Sequence, residues 1–181
     1  MAIANQEMIR DNNRRQVLEY IVNNPPISRA ALAKELHLTK ATISNIVQEL
    51  IDQNLVAEIG SAQTALGRKP ILLEFQKKCG YVFSIDVHPR QIITLTADLK
   101  GEDCHLKEYP FREEDCLLDL LRGIMKEAIP RCKDAPYGIV GVSIGIYGVV
   151  RDNEIIFTPY YPLPEPYLGK ILDRKSTRLN S

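Results

Sequence analysis

The sequence predicts an α/β protein in two parts: a small helical unit closed by a β-hairpin, then a lobe of strands around one helix. Three observations predict it. Residues 5–53 hold three segments with apolar residues at helical spacing, separated by Pro25-Pro26 and by the cap residues Ser28 and Thr39. Residues 55–75 read as two short strands around a polar tip that contains glycine. From residue 81 onward, β-rich segments flank a single helical stretch that ends at Pro130.

The first helix is expected over about Asn5–Asn23, with Met8, Ile9, Val17, Leu18, Ile21 and Val22 as its apolar side. Pro25 and Pro26 stop it, because proline lacks the N–H that a helix needs. Ser28 suits the N-cap of a short second helix, Arg29–Leu36, whose buried side would be Ala30, Leu32, Ala33 and Leu36. After a tight turn at His37-Leu38, Thr39 caps a third helix, Lys40–Gln53. There Ile43, Ile46, Val47, Leu50 and Ile51 follow the i, i+3, i+4, i+7, i+8 pattern of an amphipathic stripe.

The other face of the third helix carries Lys40, Ala41, Ser44, Asn45 and Gln48, with Thr42 at its edge. A merely solvated helix is usually richer in Glu and Lys. These short groups suit base edges instead: Asn and Gln for adenine, Ser and Thr for either strand, Ala for a thymine methyl. Thr39 and Lys40 at the helix N-terminus suit a phosphate. Strands at Leu55–Ile59 and Ile71–Phe75 flank "GSAQTALGRKP", which places Arg68 and Lys69 side by side in a basic wing. Residues 1–78 therefore read as a winged helix–turn–helix that binds double-stranded DNA. The third helix reads the major groove, Arg29 and the helix starts hold the backbone, and the wing reaches a flanking phosphate or the minor groove. A solvated tri-helical domain is the bland alternative, and a helix–turn–helix used for protein contacts is another. One reading helix touches few base pairs, so a symmetric dimer on half-sites about one DNA turn (~34 Å) apart is expected.

Composition agrees with this division. The total charge is zero, with 23 basic and 23 acidic residues, but it is uneven. Residues 1–78 hold ten Lys/Arg against eight Asp/Glu (+2), residues 79–172 hold ten against fourteen (−4), and residues 173–181 hold three against one (+2). A neutral sum thus does not exclude a nucleic-acid module. No apolar run is long enough for a membrane span and no signal-peptide core begins the chain, so a cytoplasmic protein is expected. Cys79, Cys104, Cys116 and Cys132 form no C-x-x-C pair and are expected to be scattered reduced thiols. His37, His88 and His105 are expected to be turn or surface residues.

In the second part, strands are expected at 81–87, 92–99 and 104–111, with turns at His88-Pro89-Arg90 and Lys100-Gly101-Glu102. A helix follows over about Arg112–Ile129, with Leu117, Leu121, Ile124, Met125 and Ala128 in register. Residues 137–150 read as a buried strand that enters a glycine-spaced turn, and 154–159 as another short strand.

The wing motif "GRKP", then "GYVFSIDV…TADLKGE", then "GVSIGIYGVV…NEIIFTPYYPLP", resembles the ROK family, named for repressors, open reading frames and kinases. The likeness covers most of residues 10–172. It implies an actin-like (ribonuclease H-like) sugar-kinase fold for residues 79–172, truncated here. It also implies a transcriptional regulator, usually a repressor of carbohydrate genes, that responds to a sugar or phosphosugar. An ATP-dependent sugar kinase with an appended N-terminal domain is the alternative. Family kinases cradle ATP phosphates in a glycine-rich turn after the first strand. Here that turn is Asp86-Val87-His88-Pro89-Arg90, with no glycine and with a proline that has no N–H to offer, so no enzyme is expected. The resemblance places sugar-cleft candidates at Gly145, Tyr147, Gly148, Tyr160 and Tyr161, where the tyrosines either stack on a sugar or pack at the cleft edge. No cofactor is expected in this chain; a zinc cluster, the second lobe and most dimer contacts are implied for a full-length parent. A half-lobe is expected to leave apolar surface exposed.

Residues 173–181, "DRKSTRLNS", follow an expected helix start at Tyr167–Leu172. Their three basic residues suggest an arm, but the nine residues are also the translation of the sequencing adapter GATCGGAAGAGCACACGTCTGAACTCC. They are expected to be an artefact and are left out of the fold.

Overall fold

The computed structural model describes residues 2–61 and 70–160. The wing tip with Arg68 and Lys69, Tyr161, the expected helix start at 167–172 and the basic end therefore lie outside the described residues. The chain divides into two compact units, Met1–Lys77 and Lys78–Ser181.

In the first unit, helix α1 spans Ala2–Asn23, strand β1 Ile27–Ser28, α2 Arg29–Glu35, α3 Lys40–Asp52, β2 Val56–Ser61 and β3 Ile71–Phe75. The Pro25–Pro26 peptide bond is cis. The expected caps form: the Ser28 hydroxyl accepts from the Ala31 N–H at 3.2 Å and the Thr39 hydroxyl from the Thr42 N–H at 3.1 Å. Both α2 and α3 end in a Schellman turn, in which two N–H groups beyond the helix satisfy its last carbonyls. At α2, His37 N–H reaches Lys34 O (3.4 Å) and Leu38 N–H reaches Ala33 O (3.2 Å). At α3, Asn54 and Leu55 do the same to Ile51 and Leu50, at 2.8 and 2.9 Å. The left-handed residue that such a turn needs is His37 (φ 53°) in one and Asn54 (φ 57°) in the other.

The core of this unit joins all three helices to the sheet. Val17 and Ile21 of α1, Leu32 of α2, Ile43, Val47 and Leu50 of α3 and Leu73 of β3 are fully buried. Each such aliphatic side chain contributes about 1.5–3 kcal/mol relative to an exposed one. Three expectations are corrected. Met8 and Ile9 are 67% and 53% exposed, because the N-terminal half of α1 runs past this core. Ala30 is exposed, while Ala31 packs against the core instead. The hairpin is also not two-stranded: Ile27-Ser28 pairs with Leu73-Leu72, giving the order β1-β3-β2.

In the second unit, β4 spans Tyr81–Val87, β5 Gln91–Asp98, β6 His105–Pro110, α4 Leu117–Ala128, β7 Ile139–Ile146, β8 Val149–Arg151 and β9 Glu154–Phe157. The main sheet has the order β6-β5-β4-β7, with β4 antiparallel to β5 and parallel to β7. The apolar face of α4 (Leu117, Leu121, Ile124) buries Phe83, Ile85, Val87 and Ile92 on one side of that sheet. Asp98, itself buried, ties the β5–β6 turn by accepting from the Lys100 and Glu102 N–H groups at 3.0 and 2.9 Å.

Two more expectations change. Helix α4 begins at Leu117, five residues after Arg112, because the Asp115 carboxylate accepts from the Arg112 N–H (2.8 Å) and holds 112–115 in a turn. The run 137–150 is not a buried strand. It is β7 followed by a separate strand β8, and β7 is the outer strand of the sheet, with Val140 and Val142 exposed. Only Ile139, Ile144 and Ile146 of β7 pack toward the core that α4 covers. Apolar exposure of the kind expected for a half-lobe is also present at Leu106, Val149, Ile156 and Phe157.

Candidate functional site

Helix α3 presents two faces of opposite character. Ile43, Ile46, Val47 and Leu50 are buried, and this packing fixes the rotation of the helix. Lys40, Ala41, Ser44, Asn45 and Gln48 are all exposed, and Thr42 is half-buried at the margin, its hydroxyl 2.9 Å from that of Thr39. The six residues expected to read or hold DNA from this helix therefore lie together on its outward side. The Thr39 hydroxyl caps the first turn of α3, with Lys40 next to it as the first residue of the helix.

The flanks of this outward face are held by side-chain pairs. Gln48 donates from Nε2 to Asp52 Oδ1 at 2.9 Å, so its amide leans along the helix. Arg10 of α1 pairs with Glu49, and Arg14 Nη2 donates to Gln53 Oε1 at 2.5 Å, so α1 braces the C-terminal half of α3. Arg29 is engaged within its own unit. Its guanidinium donates to Glu58 Oε1 on β2 at 2.7 Å and is three-quarters buried. It bridges α2 to β2. Glu58 gave no signal in the sequence, because the contact spans 29 residues.

The second unit gathers another set at the carboxyl ends of the parallel neighbours β4 and β7. Asp86 is paired in register with Gly145. A side chain at Gly145 would begin 2.9 Å from Asp86 Oδ1, so the glycine lets the carboxylate lie across β7. The other oxygen, Asp86 Oδ2, is 2.9 Å from His88 Nε2. The His88 ring lies 6.4 Å from Tyr147, and Tyr147 meets Tyr160 edge-on at 5.4 Å. At Gly148 an added Cβ would stand 2.2 Å from the Phe157 carbonyl oxygen, so glycine is required just before β8, beside the end of β9. Two of the five sugar-cleft candidates, Gly145 and Tyr147, thus border one Asp–His pair, and Tyr160 packs on Tyr147. Asp86 lies in β4 and His88 directly after its last residue, so the pair is a local one, two residues apart in the sequence.

Glu127 of α4 pairs with Lys107 and accepts from the Tyr109 hydroxyl at 2.9 Å. The Lys107 and Tyr109 hydrogen bonds hold the Glu127 carboxyl below its ordinary pKa. Cys79 and Cys132 are buried, and desolvation raises both thiols; Cys104 and Cys116 are exposed. Among the described residues, no group of three or more His, Cys, Asp or Glu side chains could hold a metal ion. Among the same residues, no helix is long and apolar enough to cross a membrane.

Comparison with known proteins follows the same division. A profile described as MarR family matches residues 12–64, which include the second half of α1, then α2, α3 and β2. The chain is similar to the xylose repressor of Bacillus spizizenii, at 37% identity over 88% of this chain and 42% of that protein. It is also similar to the xylose repressor of Lactiplantibacillus pentosus, at 32% identity over 84% of this chain and 40% of that protein. The chain thus spans less than half the length of these relatives. A crystal structure of a ROK family transcriptional regulator, a homologue of the E. coli MLC protein, shares the fold with a TM-score of 0.66 over 93% of this chain and 44% of that one, at 24% identity. These likenesses run through both units, and in fold the chain is similar to a ROK family transcriptional regulator.

Proposed function

We propose that this chain is the DNA-binding part and the first segment of the effector lobe of a transcriptional repressor of carbohydrate-utilisation genes. The observation that carries the reading is the outward face of α3, where Lys40, Ala41, Ser44, Asn45 and Gln48 lie exposed above a fully packed apolar stripe. Double-stranded DNA is the partner, bound as a homodimer or higher assembly so that two reading helices meet two half-sites. Arg68 and Lys69 contact the backbone from the wing. The protein acts in the cytoplasm, where that DNA is.

The effector is a sugar or phosphosugar bound in the full-length protein, with Gly145, Tyr147, Gly148, Tyr160 and Tyr161 at the cleft. The names of the relatives make D-xylose the first candidate. No cofactor serves this part of the chain, and zinc belongs to the proposal only at full length. Catalysis has no place in it: the turn after β4 has Pro89 where a phosphate cradle needs an N–H, and the His88 N–H is already given to Gln91 O at 2.9 Å. A mobility-shift assay of the full-length protein on DNA from beside sugar-utilisation genes, with and without D-xylose, tests the reading. Specific binding that the sugar relieves is expected. Turnover of ATP with a hexose or pentose in a coupled assay would count against it.

A further inference from the structure

We infer that Asp52 is a positioning residue for base recognition: by holding one amide hydrogen of Gln48, it leaves a donor and an acceptor side by side, and so sets Gln48 to read adenine and to reject guanine. The inference rests on the proposed reading of DNA by the outward face of α3 and names the residue that stands behind one of its contacts.

The hydrogen bond is the first ground. Gln48 Nε2 donates to Asp52 Oδ1 at 2.9 Å, four residues further along α3. An ionised carboxylate only accepts, so the Gln48 amide turns its NH2 group toward Asp52 and its carbonyl oxygen away. The opposite orientation would set two oxygens against each other. Of the two amide hydrogens one is taken. One N–H and the carbonyl oxygen remain for a partner on the outward face, where Gln48 is exposed.

Complementarity is the second. In the major groove adenine offers an acceptor (N7) beside a donor (N6), whereas guanine offers two acceptors, N7 and O6. The braced amide matches adenine and meets guanine with its carbonyl oxygen against O6. Without Asp52 both amide hydrogens are available, and the NH2 group can turn to guanine instead.

The third ground is the place of Asp52. It is the last residue of α3, where a negative charge opposes the helix dipole, and beside DNA the same charge repels phosphates. An exposed hydrogen bond of this spacing adds little to helix stability. Neither stability nor general affinity is served, but the orientation of Gln48 is. The adjacent Glu49 and Gln53 are engaged by Arg10 and Arg14 of α1. Asn45 has no side-chain partner among the described residues, so it supplies an unbraced comparison on the same face.

The test uses the full-length protein and the variants Asn45→Ala, Gln48→Ala, Asp52→Ala and Gln48→Ala with Asp52→Ala. Operators selected from random duplex DNA locate the base pairs at which Gln48→Ala and Asn45→Ala lose discrimination. Duplexes with adenine or guanine at the Gln48 position are then titrated, and the ratio of the two affinities is read. Phosphate repulsion by Asp52 and fraying of α3 act on both duplexes alike and cancel in that ratio. Wild type is expected to favour adenine by about tenfold. Asp52→Ala is expected to lose about threefold or more of that ratio, with the preference at the Asn45 position unchanged, and the double variant should discriminate as Gln48→Ala does. A smaller loss in Asp52→Ala overturns the positioning role and leaves the reading face intact. An equal loss at the Asn45 position overturns it too, because the effect would then belong to the whole helix. A wild-type preference for any base but adenine, or a Gln48→Ala variant that discriminates like wild type everywhere, overturns the recognition chemistry. A wild type that selects no sequence removes the DNA reading and this inference together.

Discussion

The Arg29 guanidinium and the Glu58 carboxylate are 2.7 Å apart, joining the first residue of α2 to the first strand of the wing. With side chains 27% and 41% exposed, the pair contributes about 0–1 kcal/mol to stability. Its effect lies in where it sets the wing. Arg29→Gln and Glu58→Gln are therefore expected to weaken DNA binding by similar factors, and the double variant by no more than either. The dependence of log K on log salt should not change. If Arg29 instead neutralised a phosphate, its removal would lower that slope by about 0.9, and Glu58→Gln alone would strengthen binding.

Reading and anchoring should separate along α3. Asn45→Ala is expected to cost ~1–3 kcal/mol at the best operator and little elsewhere, because a base contact carries the discrimination. Lys40→Ala should weaken all sequences alike and reduce the salt slope by about 1. Titrations of operator and scrambled DNA at three salt concentrations distinguish them. Identical behaviour of the two variants would contradict the assignment.

The two N-caps should matter to stability more than their exposure suggests. Ser28→Ala and Thr39→Ala each remove a side-chain acceptor for a helix N–H, at a cost of about 0.5–2 kcal/mol. Melting of the isolated first unit would fall by roughly 4–8 °C per kcal/mol. Thr39→Ala should in addition lower DNA affinity, since it frays the turn that carries Lys40; Ser28→Ala tests the same loss away from the reading face.

The four thiols should fall into two classes. Cys104 and Cys116 are exposed and should react with a thiol reagent promptly in the native protein. Cys79 and Cys132 are each 2% exposed, and burial raises their pKa, which lowers the thiolate fraction. They should react only on unfolding, so counting fast and slow thiols at pH 8 before and after denaturant checks the core of the second unit.

Much of this architecture was legible in the sequence, for physical reasons that differ by element. Ser28 and Thr39 were readable as caps because the interaction is local, three residues long. Strands β3 and β4 were placed at the observed residues because their alternation is bounded by Pro70, Phe75-Gln76 and His88-Pro89. What was not legible depends on distant partners. Met8 and Ile9 fit a helical stripe, but nothing local says that the core ends before them. The β1 segment is two residues long and exists because Leu72 and Leu73 lie beside it. The apolar run of β7 reads as buried, whereas its place at the edge of the sheet leaves Val140 and Val142 exposed. The site divided in the same way: the outward face of α3 followed from one helix's periodicity, while the engagement of Arg29 by Glu58 needed the fold.

The most direct test of the central claim is selection of binding sequences from random duplex DNA, followed by footprinting of the enriched site at physiological salt. The account predicts a two-fold symmetric site with half-sites about one helical turn (~34 Å) apart, protected by wild type and lost in Asn45→Ala. Failure to enrich any sequence above background, with binding that is uniform along the duplex and vanishes as salt rises, would contradict it.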